Sequence, residues 1–136
     1  GPDGAIGHGY TYSGHPVGCA AALATMDVTF SQDLPGNALA RGEQLMSALK
    51  SLQSEHPMIG DVRGKGLMVG IELVADRDSK TPLDPQLGEA LSDRVFAAGA
   101  MIRVSGNIII MSPPLVITES EIESLVQALS VGFAGS

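Results

Sequence analysis

The sequence predicts an α+β fold, with helices covering a small, mostly antiparallel sheet. Three observations predict it. Apolar residues recur at helical spacing in several separate stretches. Two apolar runs near the C-terminal end are joined by Ser105-Gly106, a hairpin turn signal. The elements follow in the order helix, helix, one or more strands, helix, strand, strand, helix, without internal repeats.

The first helix is expected from Pro16 to about Phe30. Proline suits the first helical turn, where its missing N–H is not needed. Ser13 or Gly14 is the expected N-cap. Val17, Cys19, Ala20, Leu23, Met26, Val28 and Phe30 leave almost no polar face, and a helix apolar on nearly all sides is usually covered on all sides. The covering partner is expected to be a larger domain, a second subunit or both. Cys19, among alanines, reads as a small core residue rather than a nucleophile.

A second helix, from about Leu34 or Asn37 to Ser54, carries Leu39, Leu45, Met46, Leu49 and Leu52 at helical spacing and is amphipathic. His56-Pro57 ends it, with His56 read as a solvated loop residue. Gly64 and Gly66 then mark a turn or bulge, and Leu67 to Val74 reads as a strand. This stretch matches neither the dinucleotide fingerprint nor the P-loop, because Lys65 is followed by glycine. It reads as structural.

Asp76 to Asp84 is polar and reads as a surface loop without metal-ligand spacing. A third helix follows, from Pro85 or Gln86 to Ala98, with Leu87, Ala90, Leu91, Val95 and Phe96 on one face and Gly99 as C-cap. Met101 to Val104 and Asn107 to Met111 are the hairpin strands, ended by Pro113-Pro114. Thr118-x-x-Glu121 is a capping box. It opens a last helix to about Phe133, whose apolar face is Ile122, Leu125, Val126, Leu129 and Phe133.

Composition bounds the function. The chain has 136 residues, enough for one domain with a modest core. It is 44% hydrophobic and 17% charged, which is the balance of a globular protein. Its formal net charge is −7 with no basic stripe, which argues against nucleic acid. Its single cysteine precludes an internal disulfide and points to a reducing compartment, read as the cytoplasm. No signal peptide is read at the start. Gly1-Pro2 reads as a protease-cleavage scar. Val17 to Ala24, the longest apolar run, falls short of the ~20 residues that span a bilayer.

Two places carry chemistry. Gly7-His8-Gly9-Tyr10-Thr11-Tyr12-Ser13-Gly14-His15-Pro16 is a glycine-rich loop bearing hydroxyls and leading into a helix. Free N–H groups and a small hydroxyl there can meet an anion, although the same pattern serves a plain loop before a core helix. His8 and His15 read as hydrogen-bonders that shape this loop. Arg103 is the one charge in the hairpin Met101 to Met111. It can offer a fork to a carboxylate or stand as an exposed strand arginine. Three isolated histidines and one cysteine make no metal site.

The wording of the first stretch closely resembles the start of the C-terminal domain of class III pyridoxal-phosphate aminotransferases, which include the omega-amino-acid:pyruvate transaminases. Arg63-Gly64-x-Gly66-x-Met68-x-Gly70-Ile71-Glu72-Leu73 is similar to the same family at the matching place. The resemblance implies the small C-terminal domain fold of fold-type I enzymes and the cofactor pyridoxal 5'-phosphate. It implies that Thr11, with Tyr10 beside it, contacts the cofactor phosphate of the neighbouring subunit. It also implies that Arg103, ten residues before Pro113-Pro114, binds the substrate carboxylate and in some members swings aside. Residues 1–14 would be the phosphate loop leading in from a large domain, and 15–136 the small domain.

The family's Schiff-base lysine belongs to that large domain. Lys50, Lys65 and Lys80 do not match its motif, so no catalytic residue is assigned and this chain alone is expected to be inactive. The implied whole is a homodimer joined through the large domain, moving an amino group between an amine or amino acid and a 2-oxo acid such as pyruvate. An aminomutase or decarboxylase on the same scaffold, and a non-catalytic binding or assembly module, remain open alternatives.

Overall fold

The computed structural model describes Gly4 and residues 7–135; Gly1-Pro2 lies outside them. The chain divides after Leu34 into two compact units. Each is described by itself.

The first unit holds the glycine-rich loop and helix α1 (Pro16–Ser31). The N-cap is His15, not Ser13 or Gly14, and it makes no side-chain cap bond. Ser13 is engaged elsewhere, since its Oγ accepts the Tyr10 N–H at 2.8 Å. The Ser13 N–H donates back to the Tyr10 carbonyl at 2.9 Å, which closes a turn over residues 10–13. Gly14 follows at φ +75°, a left-handed value that favours glycine. No residue of α1 is buried. Cys19 is accordingly exposed rather than a core residue, because this unit has no second element to build a core around α1.

The second unit is the α+β body. It contains α2 (Leu34–Glu55), β1 (Ile59–Lys65), β2 (Met68–Asp76), β3 (Thr81–Pro82), α3 (Pro85–Ala97), β4 (Arg103–Ser105), β5 (Ile108–Met111) and α4 (Glu119–Ala134). The strands form one antiparallel sheet in the order β1-β2-β5-β4, with β3 added beside β2. The expected class is therefore observed. The glycine-marked stretch holds two strands, the second matching the expected Leu67 to Val74 and the first unassigned from sequence. Lys65 ends β1, and Gly66 at φ +56° turns the chain into β2. Leu67 lies in this turn, yet it is buried at 4% exposure. The loop after Asp76 likewise contains the short β3.

Alternation along the strands gives the sheet one covered face. Val62, Val69, Ile71, Leu73, Ile109 and Met111 are buried beneath the helices. Met68, Gly70, Glu72, Ile108 and Ile110 occupy the alternate positions and remain wholly or partly accessible. Leu45, Leu49 and Leu52 of α2, Leu91 and Val95 of α3, and Ile122, Leu129 and Phe133 of α4 complete one core.

The α3 face departs from expectation. Leu87 and Phe96 are 53% and 68% exposed, while Gly88 is buried against Val104. Leu91 and Val95 already fill the contact with α4, and Phe96 points off that stripe. Gly99 does follow α3 in the left-handed region, at φ +102°, with Ala98 as the capping residue. His56 is not a solvated loop residue. It is half-buried and stacked on Phe133, with ring centroids 5.4 Å apart and planes at 30°. α2 and α4 come together there, a contact invisible to local pattern.

Candidate functional site

The loop of the first unit presents hydroxyls outward. Tyr10 and Tyr12 are 72% and 80% exposed. The Tyr10 ring stands edge-on to His8 at 4.8 Å, and that of Tyr12 edge-on to His15 at 6.0 Å. Thr11 sits at an inner position of the residue 10–13 turn, exposed, and its hydroxyl has no hydrogen-bond partner among the described residues. Nothing lies within 4 Å of the space a Cβ would occupy at Gly7 or Gly9. The turn therefore offers an uncommitted hydroxyl on a backbone open to close approach, an arrangement that fits a phosphate oxygen. The two histidine rings contact this loop's tyrosines edge-on and make no hydrogen bond among the described residues, where hydrogen-bonding was expected.

Arg103 lies in the second unit, at the start of β4 and opposite Ile110 on β5. The hairpin turns at Gly106, φ +62°, one residue later than expected, so Ser105 belongs to β4. Arg103 lines a groove of about 670 Å³. Met101, Ile102, Ile110 and Met111 come from the hairpin, Pro113 and Pro114 form a wall, and Leu125 enters from α4. Among the described residues, Arg103 is the only charged one lining this groove. Its guanidinium makes no hydrogen bond or ion pair among the described residues. A free planar fork at an apolar groove is suited to a carboxylate carried on an apolar body.

The other arginines on this body are committed. Arg63 Nη1 donates to Asp61 Oδ2 at 2.8 Å and to Glu72 Oε2 at 2.7 Å. The Glu72 hydrogen bond, followed by that of Asp61, raises the Arg63 pKa above its ordinary value. Arg77 donates to the carbonyls of Ile59, Gln53 and His56, where it closes the C-terminal end of α2. Arg41 pairs with Glu119 at 3.2 Å. Arg94 Nε donates to the Gly132 carbonyl at 2.9 Å.

Lys50, Lys65 and Lys80 are all exposed, so none has the buried setting a carbonyl-capturing lysine requires. No group of three potential metal ligands occurs among the described residues. No helix among them is long and apolar enough to cross a membrane. Thr11 and Tyr10 stand in the first unit and Arg103 in the second, each exposed. The groove walls supplied by Pro113, Pro114, Ile117 and Leu125 were not singled out from sequence, because their approach to β4 depends on how α4 packs.

Comparison with known proteins gives a consistent result. The class III aminotransferase family matches residues 3–132. An uncharacterised aminotransferase of Sinorhizobium fredii is 45% identical over 129 residues, covering 90% of this chain and 27% of that protein. The structure of an amine transaminase from an uncultivated Pseudomonas species, in its pyridoxal-phosphate-bound form, is 46% identical with a TM-score of 0.90. The match covers 99% of this chain and 31% of that one. An (S)-enantioselective omega-transaminase from Thermomicrobium roseum is 38% identical with a TM-score of 0.85, covering 98% of this chain and 30% of that one. The chain thus spans about a third or less of the length of these relatives.

Proposed function

The chain belongs to the class III aminotransferases, and on that footing we propose that it forms the C-terminal part of a pyridoxal-phosphate-dependent transaminase. The reaction moves an amino group between an amine or amino acid and a 2-oxo acid such as pyruvate. Residues 1–14 lead in from a large domain, and residues 15–136 are the small domain. The complete enzyme is a homodimer joined through the large domain. The free, exposed thiol of Cys19 suits a reducing compartment such as the cytoplasm.

The observation that carries this reading is Arg103, unpaired and the one charge at its groove among the described residues. When bound, pyridoxal 5'-phosphate supplies the electron sink and the amino-group carrier. Thr11, with Tyr10 beside it, holds the phosphate of the neighbouring subunit, its hydroxyl donating to a phosphate oxygen. Arg103 takes the substrate carboxylate through two parallel N–H donors, which fixes orientation as well as position. Met101, Ile110 and Leu125 line the groove around the rest of the substrate and exclude water, which strengthens the ion pair. An exposed strand arginine is also free to turn aside, so an amine without a carboxylate can enter.

The test is Arg103→Ala in the complete enzyme. KM for amino acids and 2-oxo acids rises roughly tenfold or more, as expected on losing a charge-assisted hydrogen bond. Simple amines are affected far less. An equal loss on both substrate types overturns the assignment.

A further inference from the structure

We propose that Asn37, at the start of α2, is a positioning residue that sets the width of the Arg103 groove. The inference rests on the reading of that groove as the substrate site. Its wall is the segment between β5 and α4, which opens with Ser112, Pro113 and Pro114.

Ile117 packs against the core at the far end of this wall, but little holds the turn before it. Pro113 and Pro114 have no N–H to donate. Leu115 and Val116 are 47% and 56% exposed, so neither is anchored in the core. One backbone bond closes the turn, from the Ile117 N–H to the Pro114 carbonyl at 2.9 Å. Asn37 supplies the rest. Its Nδ2 donates to the Leu115 carbonyl at 2.7 Å and to the Ile117 carbonyl at 3.0 Å. One amide group thereby straddles Val116 and uses both of its donors.

α2 is a firm base for such a clamp. Its Leu45 and Leu49 are fully buried, so the helix cannot shift without opening the core. Further along α2, Gln44 Nε2 donates to the Glu119 carbonyl at 3.2 Å, and Arg41 pairs with Glu119. These contacts hold the start of α4. Among the described side chains, Asn37 is the one that hydrogen-bonds the turn carrying the wall. A wall tied to α2 and an arginine carried on β4 are then held apart by the core, and the gap between them is the substrate's width.

Asn37→Ala removes both donors without adding bulk. In the complete enzyme we expect KM for 2-oxo acids to rise roughly three- to tenfold, the effect of an ordinary hydrogen bond. The kcat should stay within about twofold, because no reacting atom is touched. The Ile117 amide should exchange its hydrogen faster, while amides of β2 and β5 keep their protection. Asn37→Gln retains both donors on a longer arm and should recover part of the KM.

Unchanged Ile117 exchange overturns the inference. So does a parallel fall of kcat and of core protection, which would mark Asn37 as merely structural. Arg103→Ala is measured beside these variants. If it raises KM while Asn37→Ala does not, only the Asn37 inference is lost. If Arg103→Ala leaves KM unchanged, the substrate-site reading fails.

Discussion

Gly132, in the last turn of α4, shows how one hydrogen atom can decide a packing contact. A glycine inside a helix costs about 1 kcal/mol relative to alanine, so its presence calls for a packing reason. The reason here is α3: a Cβ at residue 132 would run into the Val95 side chain, with Leu91 close behind. The Gly132 carbonyl also accepts from Arg94, which ties the two helices at the same level. Gly132→Ala therefore gains helix propensity and loses more to overpacking. The expected outcome is a destabilisation of about 1–3 kcal/mol in urea unfolding. Gly42 is a second case, since its Cβ would fall on the Gly66 backbone at the β1–β2 turn. Arg103 was visible in the sequence as the one charge in a hairpin. That it stands unpaired at a groove depended on side chains more than ten positions away in sequence, such as Leu125.

At the scale of elements, local chemistry carried furthest where it is self-contained. The Thr118–Glu121 capping box formed as the spacing predicts, with the Thr118 Oγ1 accepting the Glu121 N–H at 3.3 Å and the Glu121 carboxylate accepting the Thr118 N–H at 2.8 Å. The Thr118 hydroxyl also donates to the Glu121 carboxylate at 2.8 Å, and the bonds that carboxylate accepts, first from the Thr118 backbone N–H and then from its hydroxyl, lower the Glu121 pKa. A lowered carboxylate pKa stabilises the fold above the unfolded-state value of about 4.3. That contribution fades as pH falls through the lower folded-state value. Thr118→Ala should cost about 1 kcal/mol at neutral pH. The gap to the parent should narrow in acid, as measured by thermal unfolding across pH 2 to 7 at roughly one-unit steps. Less was legible where an element borrows its burial from elsewhere. Leu87 and Phe96 satisfy a helical period but remain exposed, and β1 was hidden by its glycines until β2 paired with it.

For the whole molecule, the decisive contrast is between the two units. The α+β body has one continuous core and closes its sheet on a single face. The first unit has a helix with no buried residue, carrying Val17, Leu23 and Phe30 at 71%, 59% and 75% exposure. Such a surface is suited to a partner, as the uniform hydrophobicity of the sequence anticipated. The same scale decides what the chain can do by itself. Incubation of this chain with pyridoxal phosphate should give no persistent near-ultraviolet absorbance that vanishes on replacing one of Lys50, Lys65 or Lys80. All three are exposed, and a lasting imine needs a sheltered amine. A stable band traced to one lysine would overturn this expectation.

The sequence by itself determined what depends on neighbours in the chain. That includes the four helices and most of their ends, the capping box, the β4–β5 hairpin and the glycine-rich entry to α1. These follow from periodicity, turn residues and backbone donors within a few positions, so local order is enough to read them. Only the tertiary structure decided which apolar faces are covered, that His56 lies on Phe133, and that Asn37 reaches across to the Pro113–Pro114 wall. Those contacts join residues 77 to 80 positions apart, and their geometry is set by how helices and sheet fill one shared core.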